Sequence, residues 1–274
     1  MVKKPPFKIP DLDEDALPGG WIDREPAPKD LPHPGLRELC LNITGAFEGP
    51  NSWATCSGNF DKSGLSCGLL QWNLGQGTLQ PLLQRMLSNH RAKALAILGP
   101  AALKSLEEVL KMPVNLQVAW GDAISNPKNK YQVLEPWKTR LKSLFTAPEM
   151  KVIQSEAADG IFQRAVATCQ AFGIKSVRGL ATLFDLCVQQ GGIKPQHRAR
   201  IMVIKAGQEK EKGRALTVNE YLRVIAQGRA EFALPQWQAD CLSRRNCIID
   251  GHGTVHGQKF DLDRDYGLND GPAF

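Results

Sequence analysis

The 274-residue sequence has no run of eighteen apolar residues, which excludes a membrane-spanning helix. Its seven cysteines include no C-x-x-C pair, and their odd number rules out a framework in which every thiol is bridged. There is no low-complexity bulk and no repeat at solenoid periods, and no nucleophile elbow is expected. Aromatic residues make up only 7% of the chain, and Lys and Arg are spread over many segments without clustering beside them, which argues against a nucleic-acid partner. Cys241, Cys247, His252 and His256 are separated by gaps that miss zinc-ligand spacing. Asp261, Asp263 and Asp265 alternate like the opening of a calcium loop, but Gly267 comes one residue late and no acid closes the loop, so a solvated acidic tail is the simpler reading. Neither metal nor cofactor is expected.

What is present points to a folded, mainly helical protein. Hydrophobic residues make up 42% of the sequence, enough for a sizeable core. Residues 1–35 carry eight prolines and an acidic run at Asp11 to Asp15, and read as an N-terminal arm or linker, with 36–274 as the folded domain. The basic start is followed by Pro-Pro-Phe-Lys and no apolar core, so no signal peptide is expected. The excess of 34 basic over 28 acidic residues, a net charge of +6, favours anionic surfaces.

Helical periodicity runs through Thr78–Asn89, Ala101–Met112, Leu116–Ile124, Val133–Phe145, Pro148–Phe172 and Val177–Gln190. Gly75 and Gly77 turn the chain before Thr78, which is placed to cap the first of these. Thr217 and Glu220 form a capping box that opens a helix to about Phe232, and Pro235 fits the first turn of another. The only strands expected lie near residues 53–73. Cys40, Cys169 and Cys187 read as small core residues. Cys56 and Cys67 flank a turn, either as a bridge across a hairpin or as two free thiols.

Leu36, Leu39, Cys40, Ile43 and Phe47 have the spacing of a helix with one buried face, and Gly49-Pro50 should end it. Glu48 then falls in the last turn, where the helix dipole disfavours an ionised carboxylate; burial by Phe47 and Trp53 would raise its pKa further. A carboxyl that stays protonated near neutral pH suits a glycosidic leaving oxygen. Asp61 lies between the turn clusters Gly58-Asn59 and Lys62-Ser63-Gly64, where it would activate water as the base. Taken singly, a helix-end glutamate and a turn aspartate are equally at home as plain surface acids.

An acid at a helix end, an Asp thirteen residues later and then Gly68-Leu-Leu-Gln-Trp-Asn73 resembles the core of the lysozyme-like superfamily, with spacing most similar to goose-type lysozymes and lytic transglycosylases. The resemblance implies a two-lobed, mainly α fold with a small β-hairpin beside the active-site cleft. It implies Glu48 as acid, Asp61 as likely base, and Gln71, Trp72 and Asn73 as the substrate-binding strip. One extra residue between Asp61 and Gly68, and Asn73 where an acid is often found, leave a water held on Gln71 and Asn73 as the alternative to Asp61. A second stretch, Gly179 to Gly192, is similar to the central helix of bacterial chitosanases. It implies that Asp185, with Arg244 or Arg245, forms a network that holds the catalytic Glu; a core salt bridge without a catalytic part is the other reading.

The phrase from Phe47 to Leu83, with the late Trp237 to Arg245 segment, resembles muramidase effectors of the bacterial type VI secretion system. That likeness implies a peptidoglycan hydrolase cutting between N-acetylmuramic acid and N-acetylglucosamine. It would be made in the bacterial cytoplasm, act in the periplasm or cell wall of a target cell, and be served by a secretion carrier and a cognate immunity protein. The alternatives are a lytic transglycosylase, a chitosanase, or a catalytically silent wall-binding or adaptor module.

Overall fold

The first helix follows its apolar pattern. α1, Leu36–Phe47, buries Cys40, Leu41, Ile43 and Phe47. The computed structural model describes residues 35–48 and 52–274. The Pro-rich arm and the Gly49-Pro50 helix stop therefore lie outside the described residues. The described chain is mainly helical, with short antiparallel sheets. It divides into two compact units, one formed by α1 with Asp159–Phe274 and the other by Glu48–Ala158.

The first unit is organised around α9, Val177–Gln190. Ser176 caps it by accepting a hydrogen bond from the Gly179 amide, and Gly191 at φ 73° closes it in the left-handed region. Every residue from Val177 to Val188 is buried. Its neighbours are α1, α8 (Asp159–Phe172), α11 (Val218–Ala230) and α12 (Pro235–Asp250). Four of its large apolar side chains, Leu180, Leu183, Phe184 and Leu186, are fully covered. Each is worth about 1.5–3 kcal/mol of transfer free energy before chain entropy is subtracted. The capping box at Thr217 forms in both directions, and Pro235 occupies the first turn of α12.

Two elements here differ from expectation. α10, Pro195–Lys212, was not foreseen because only His197 and Ile201 are buried along its 18 residues, too few to make an apolar stripe. After α12 comes a hairpin, β6 (His252–Val255) with β7 (Gln258–Asp261), whose two-residue turn has positive φ at His256 and Gly257. The acidic end is docked, not a free solvated tail. Asp261 caps α13 (Leu262–Tyr266), Asp263 and Asp270 pair with the buried Arg178, and Leu268 and Ala273 are buried.

The second unit opens with a 3-10 turn, Ser52–Ala54, and a three-stranded sheet of β1 (Cys56–Ser57), β2 (Ser66–Cys67) and β3 (Trp72–Asn73). There follow α2 (Leu79–Asn89), α3 (Arg91–Leu98), α4 (Pro100–Val109) and α5 (Val114–Ala123). The hairpin of β4 (Ser125–Asn126) and β5 (Asn129–Val133) comes next, then α6 (Trp137–Thr146) and α7 (Pro148–Ala157). The hairpin corrects the expectation of strands only near 53–73. Its signal was the Asn126-Pro127 turn, in which the Asn126 side chain accepts from the Lys128 amide at 2.9 Å. The helix expected from Val133 begins only at Trp137, after Pro136. The helix expected to run from Pro148 to Phe172 breaks at Ala158, just ahead of Asp159-Gly160. Thr78 precedes α2, but its hydroxyl accepts from the Asn73 amide and makes no cap bond.

Candidate active site

Glu48 directly follows the last residue of α1 and is half-buried. Asp61 lies in the same unit, in the loop joining β1 to β2. The tight turn there has a local cause: the Asp61 carboxylate accepts from the Ser63 amide at 3.0 Å, while Lys62 and Gly64 adopt positive φ. Asn59 staples the loop closed, accepting from the Gly64 amide at 2.8 Å and donating to Asp122 of α5 at 2.7 Å. Its backbone amide also donates to Ser125, and Phe60 packs against Tyr131. Lys130 bonds the same Asp122 oxygen at 2.7 Å, and these two donors hold that carboxyl below the usual range against a small opposing effect of desolvation. The loop bearing Asp61 is thus fixed from α5 and the β4–β5 hairpin.

The strip after it is equally constrained. Gly68 has φ 83°, and a Cβ there would come within 2.5 Å of the Gln154 side-chain oxygen. Gln154, fully buried on α7, accepts from the Leu69 amide at 3.0 Å and donates to the Phe145 carbonyl at 2.9 Å. Gln71, also at positive φ, accepts from the Ser57 hydroxyl and donates to the Gly68 carbonyl. Trp72 and Asn73 are buried, and the Asn73 carboxamide is engaged with Gln76 through both its oxygen and its nitrogen. Of the three residues Gln71 is the more open to solvent. Trp53 lies under the Lys151 ammonium at 5.7 Å.

Cys56 and Cys67 are cross-strand partners and both are free thiols, with sulfurs 3.2 Å apart. Burial pushes the Cys67 thiol well up. Gly64, Ser66 and Gly68 have the G-x-S-x-G spacing. However, Ser66 is buried within β2 and pairs with Asn73, so the strand-to-helix turn of an elbow is missing.

In the first unit Asp185 meets both arginines proposed for it. Arg244 reaches it at 2.6 Å and Arg245 at 3.1 Å, and all three side chains are buried. Burial opposes the charge on Asp185, yet the two guanidiniums hold its carboxyl below the usual range. Burial lowers the Arg245 pKa. Arg244 also stacks over the Phe47 ring at 5.3 Å, so the cluster touches the last residue of α1. Gln154 and His256 are structural contacts of these segments that sequence reasoning missed; each is remote in sequence from what it holds, so no local pattern announces it. Among the described residues no group of three or more His, Cys, Asp and Glu is gathered as a metal would require. No described helix is long and apolar enough to cross a membrane.

No family model and no curated protein matches the sequence. Solved structures do match. A GH46 chitosanase from Gynuella sunshinyii in complex with chitotetraose superposes with a TM-score of 0.53 at 15% identity, covering 83% of this chain and 97% of that one. The native chitosanase of Bacillus subtilis MY002 gives 0.52 at 14% identity, with 84% and 99% covered. A glutamate-to-alanine mutant of the latter, complexed with six GlcN units, gives 0.52 at 16% identity over the same shares. The chain shares the fold of these lysozyme-like chitosanases.

Proposed function

We propose that the chain is a glycoside hydrolase that cleaves the β-1,4 bond between N-acetylmuramic acid and N-acetylglucosamine, with Glu48 as proton donor and Asp61 as the base that activates water. The observation that carries this reading is Glu48 half-buried at the end of α1, in the same unit as a rigidly held Asp61 and the Gly68–Asn73 strip, within a fold shared with glycan hydrolases. Arg244, paired with Asp185, stacks on Phe47, the residue that precedes Glu48 in the chain.

Charge supports peptidoglycan over chitosan as the substrate. Between Glu48 and Ala158 there are twelve Lys and Arg against eight Asp and Glu. A unit with four positive charges in excess repels a polycation such as chitosan and attracts an anionic wall polymer. The second reading, a chitosanase, is favoured by the chitotetraose and GlcN ligands of the structural neighbours. In the muramidase reading the protein serves as an antibacterial effector, carried by a secretion machine to the wall of a target cell and neutralised at home by an immunity protein.

The deciding experiment is digestion of purified sacculi and of chitosan by the wild type and Glu48→Gln, with products read by mass spectrometry. Reducing muramic acid ends are expected, with a loss of about a hundredfold or more in Glu48→Gln. Anhydro ends would identify a lytic transglycosylase, glucosamine oligomers a chitosanase, and undiminished turnover by Glu48→Gln would remove the assignment.

A further inference from the structure

The turn of the β6–β7 hairpin places a histidine against the end of α1. His256 Nδ1 lies 2.8 Å from the Phe47 carbonyl oxygen, and Nε2 lies 2.5 Å from Asp240 Oδ1. The carbonyl belongs to the peptide bond that joins Phe47 to Glu48. Although the turn backbone is exposed, the imidazole is only 22% exposed and the Asp240 side chain 19%.

Both neighbours of the ring are acceptors. A peptide carbonyl cannot donate, and Asp240 is an ionised carboxylate whose other oxygen accepts from Gln189 at 2.7 Å. A neutral imidazole carries one N–H and satisfies only one of them, so the geometry calls for the doubly protonated ring. The surrounding charges agree on balance. Asp240 on α12 favours the cation and Arg244 on the same helix opposes it; α1 contributes the neutral Phe47 carbonyl, and α9 contributes neutral Gln189 behind Asp240. The net direction for His256 is upward, set first by the Asp240 hydrogen bond, while partial burial works against it. Asp240 moves below the usual carboxylate range despite its burial, because of His256.

Gln189 also receives a hydrogen bond from Arg245, which pairs with Asp185. One continuous polar chain therefore runs from the buried Asp185 cluster through Gln189 and Asp240 to His256 and ends on the Phe47 carbonyl. Meanwhile Arg244 and Phe260 grip the Phe47 ring from two sides. The end of α1 is held by its carbonyl and by its side chain at once.

We propose that His256 is a positioning residue whose imidazolium, clamped between Asp240 and the Phe47 carbonyl, fixes the end of α1 and so aims the Glu48 carboxyl; loss of its proton releases one of the two contacts. The proposal deepens the reading of Glu48 as acid and rests on it. A histidine whose folded pKa lies above its ordinary 6.5 keeps the clamp fully closed below that value and opens it as pH rises through the folded pKa.

The test has two arms. In Glu48→Gln, which has no titrating group at position 48, nitrogen-resolved NMR of the imidazole should show both His256 nitrogens protonated at pH 6.5. The backbone amide at position 48 should shift with the same midpoint, above 6.5. Adding His256→Asn, a residue that tolerates the left-handed turn, should abolish that shift. On sacculi, His256→Asn alone should lower kcat by about ten- to a hundredfold, the scale expected of a misaimed catalytic group, with KM within about twofold, and should remove from the kcat profile the alkaline step that shares the His256 midpoint read by NMR. Asp240→Asn should move that step to lower pH, and His252→Asn, on the exposed part of β6, should leave it in place. An unprotonated Nδ1, a position-48 amide indifferent to the His256 midpoint, or persistence in His256→Asn of a kcat step at that midpoint would each overturn the proposal. If Glu48→Gln proves fully active, or no glycan is cut, the assignment of Glu48 fails while the NMR arm still decides whether the clamp exists.

Discussion

Replacing Asp185 by asparagine keeps the outline of a fully buried side chain and removes its charge. Arg244 and Arg245, each about 1% exposed, are then left as two cations facing a carboxamide, whose NH2 group points a donor at a donor. Breaking a buried ion pair from one side costs about 3–5 kcal/mol, because the surviving charge stays desolvated. Domains have about 5–15 kcal/mol in all, so the loss is about a fifth of the total or more. At about 2–4 °C per kcal/mol for a unit of this size, the melting temperature should fall by roughly 6–20 °C. Urea titration and thermal melts followed by circular dichroism measure both. The exposed pair of Arg200 with Glu231 is the comparison, since Glu231→Gln should cost at most about 1 kcal/mol. The pH dependence has a definite sign. The folded pKa of Asp185 is depressed, so its contribution is complete at neutral pH and disappears as pH falls through the folded value; Asp185→Asn should lack that acid-side loss. A cost below about 1 kcal/mol for Asp185→Asn would refute the view that this cluster anchors α9 to α12.

Gly68→Ala should destabilise the protein by about 2–4 kcal/mol in urea titration, because a Cβ would require positive φ and collide with the Gln154 oxygen and the Phe145 and Trp72 rings. His197, buried and neutral, uses Nδ1 to accept from the Lys194 amide, and burial pulls its pKa down to about 4. Stability should therefore fall as pH drops from about 6.5 toward 4, by up to about 3 kcal/mol, and His197→Gln should flatten that slope in denaturation curves taken across the range.

Periodicity made α1 and α2 legible through an apolar stripe on each, and α9 through apolar residues that continue round a buried helix, while α12 was read from Pro235 at its first turn. It failed for α10, whose polar composition leaves no stripe, and for the two hairpins outside residues 53–73, whose signals sit in the turn residues Asn126-Pro127 and His256-Gly257 and not in the short strands. The turn holding Asp61 was readable from Asn59 and Gly64 because those contacts are local. The pairing of Asp185 with Arg244 or Arg245 was expected from the resemblance of Gly179 to Gly192 to a chitosanase helix, and both arginines reach it. Nothing local announced Gln154 beneath Gly68 or His256 beside Phe47, separated by 85 and 209 residues from what they touch.

The first unit is discontinuous: α1 is followed by the whole of Glu48–Ala158 before its own partners appear. On a ribosome adding about 5–20 residues per second, α9 emerges on the order of 7–30 s after α1. During that interval Leu41, Ile43 and Phe47 have no α9 to cover them, while Glu48–Ala158 has all its own strands and helices in hand and is free to settle. The nascent chain thus completes the lobe bearing Asp61 first, and the α1 end that carries Glu48 is locked only when residues near the C-terminus arrive.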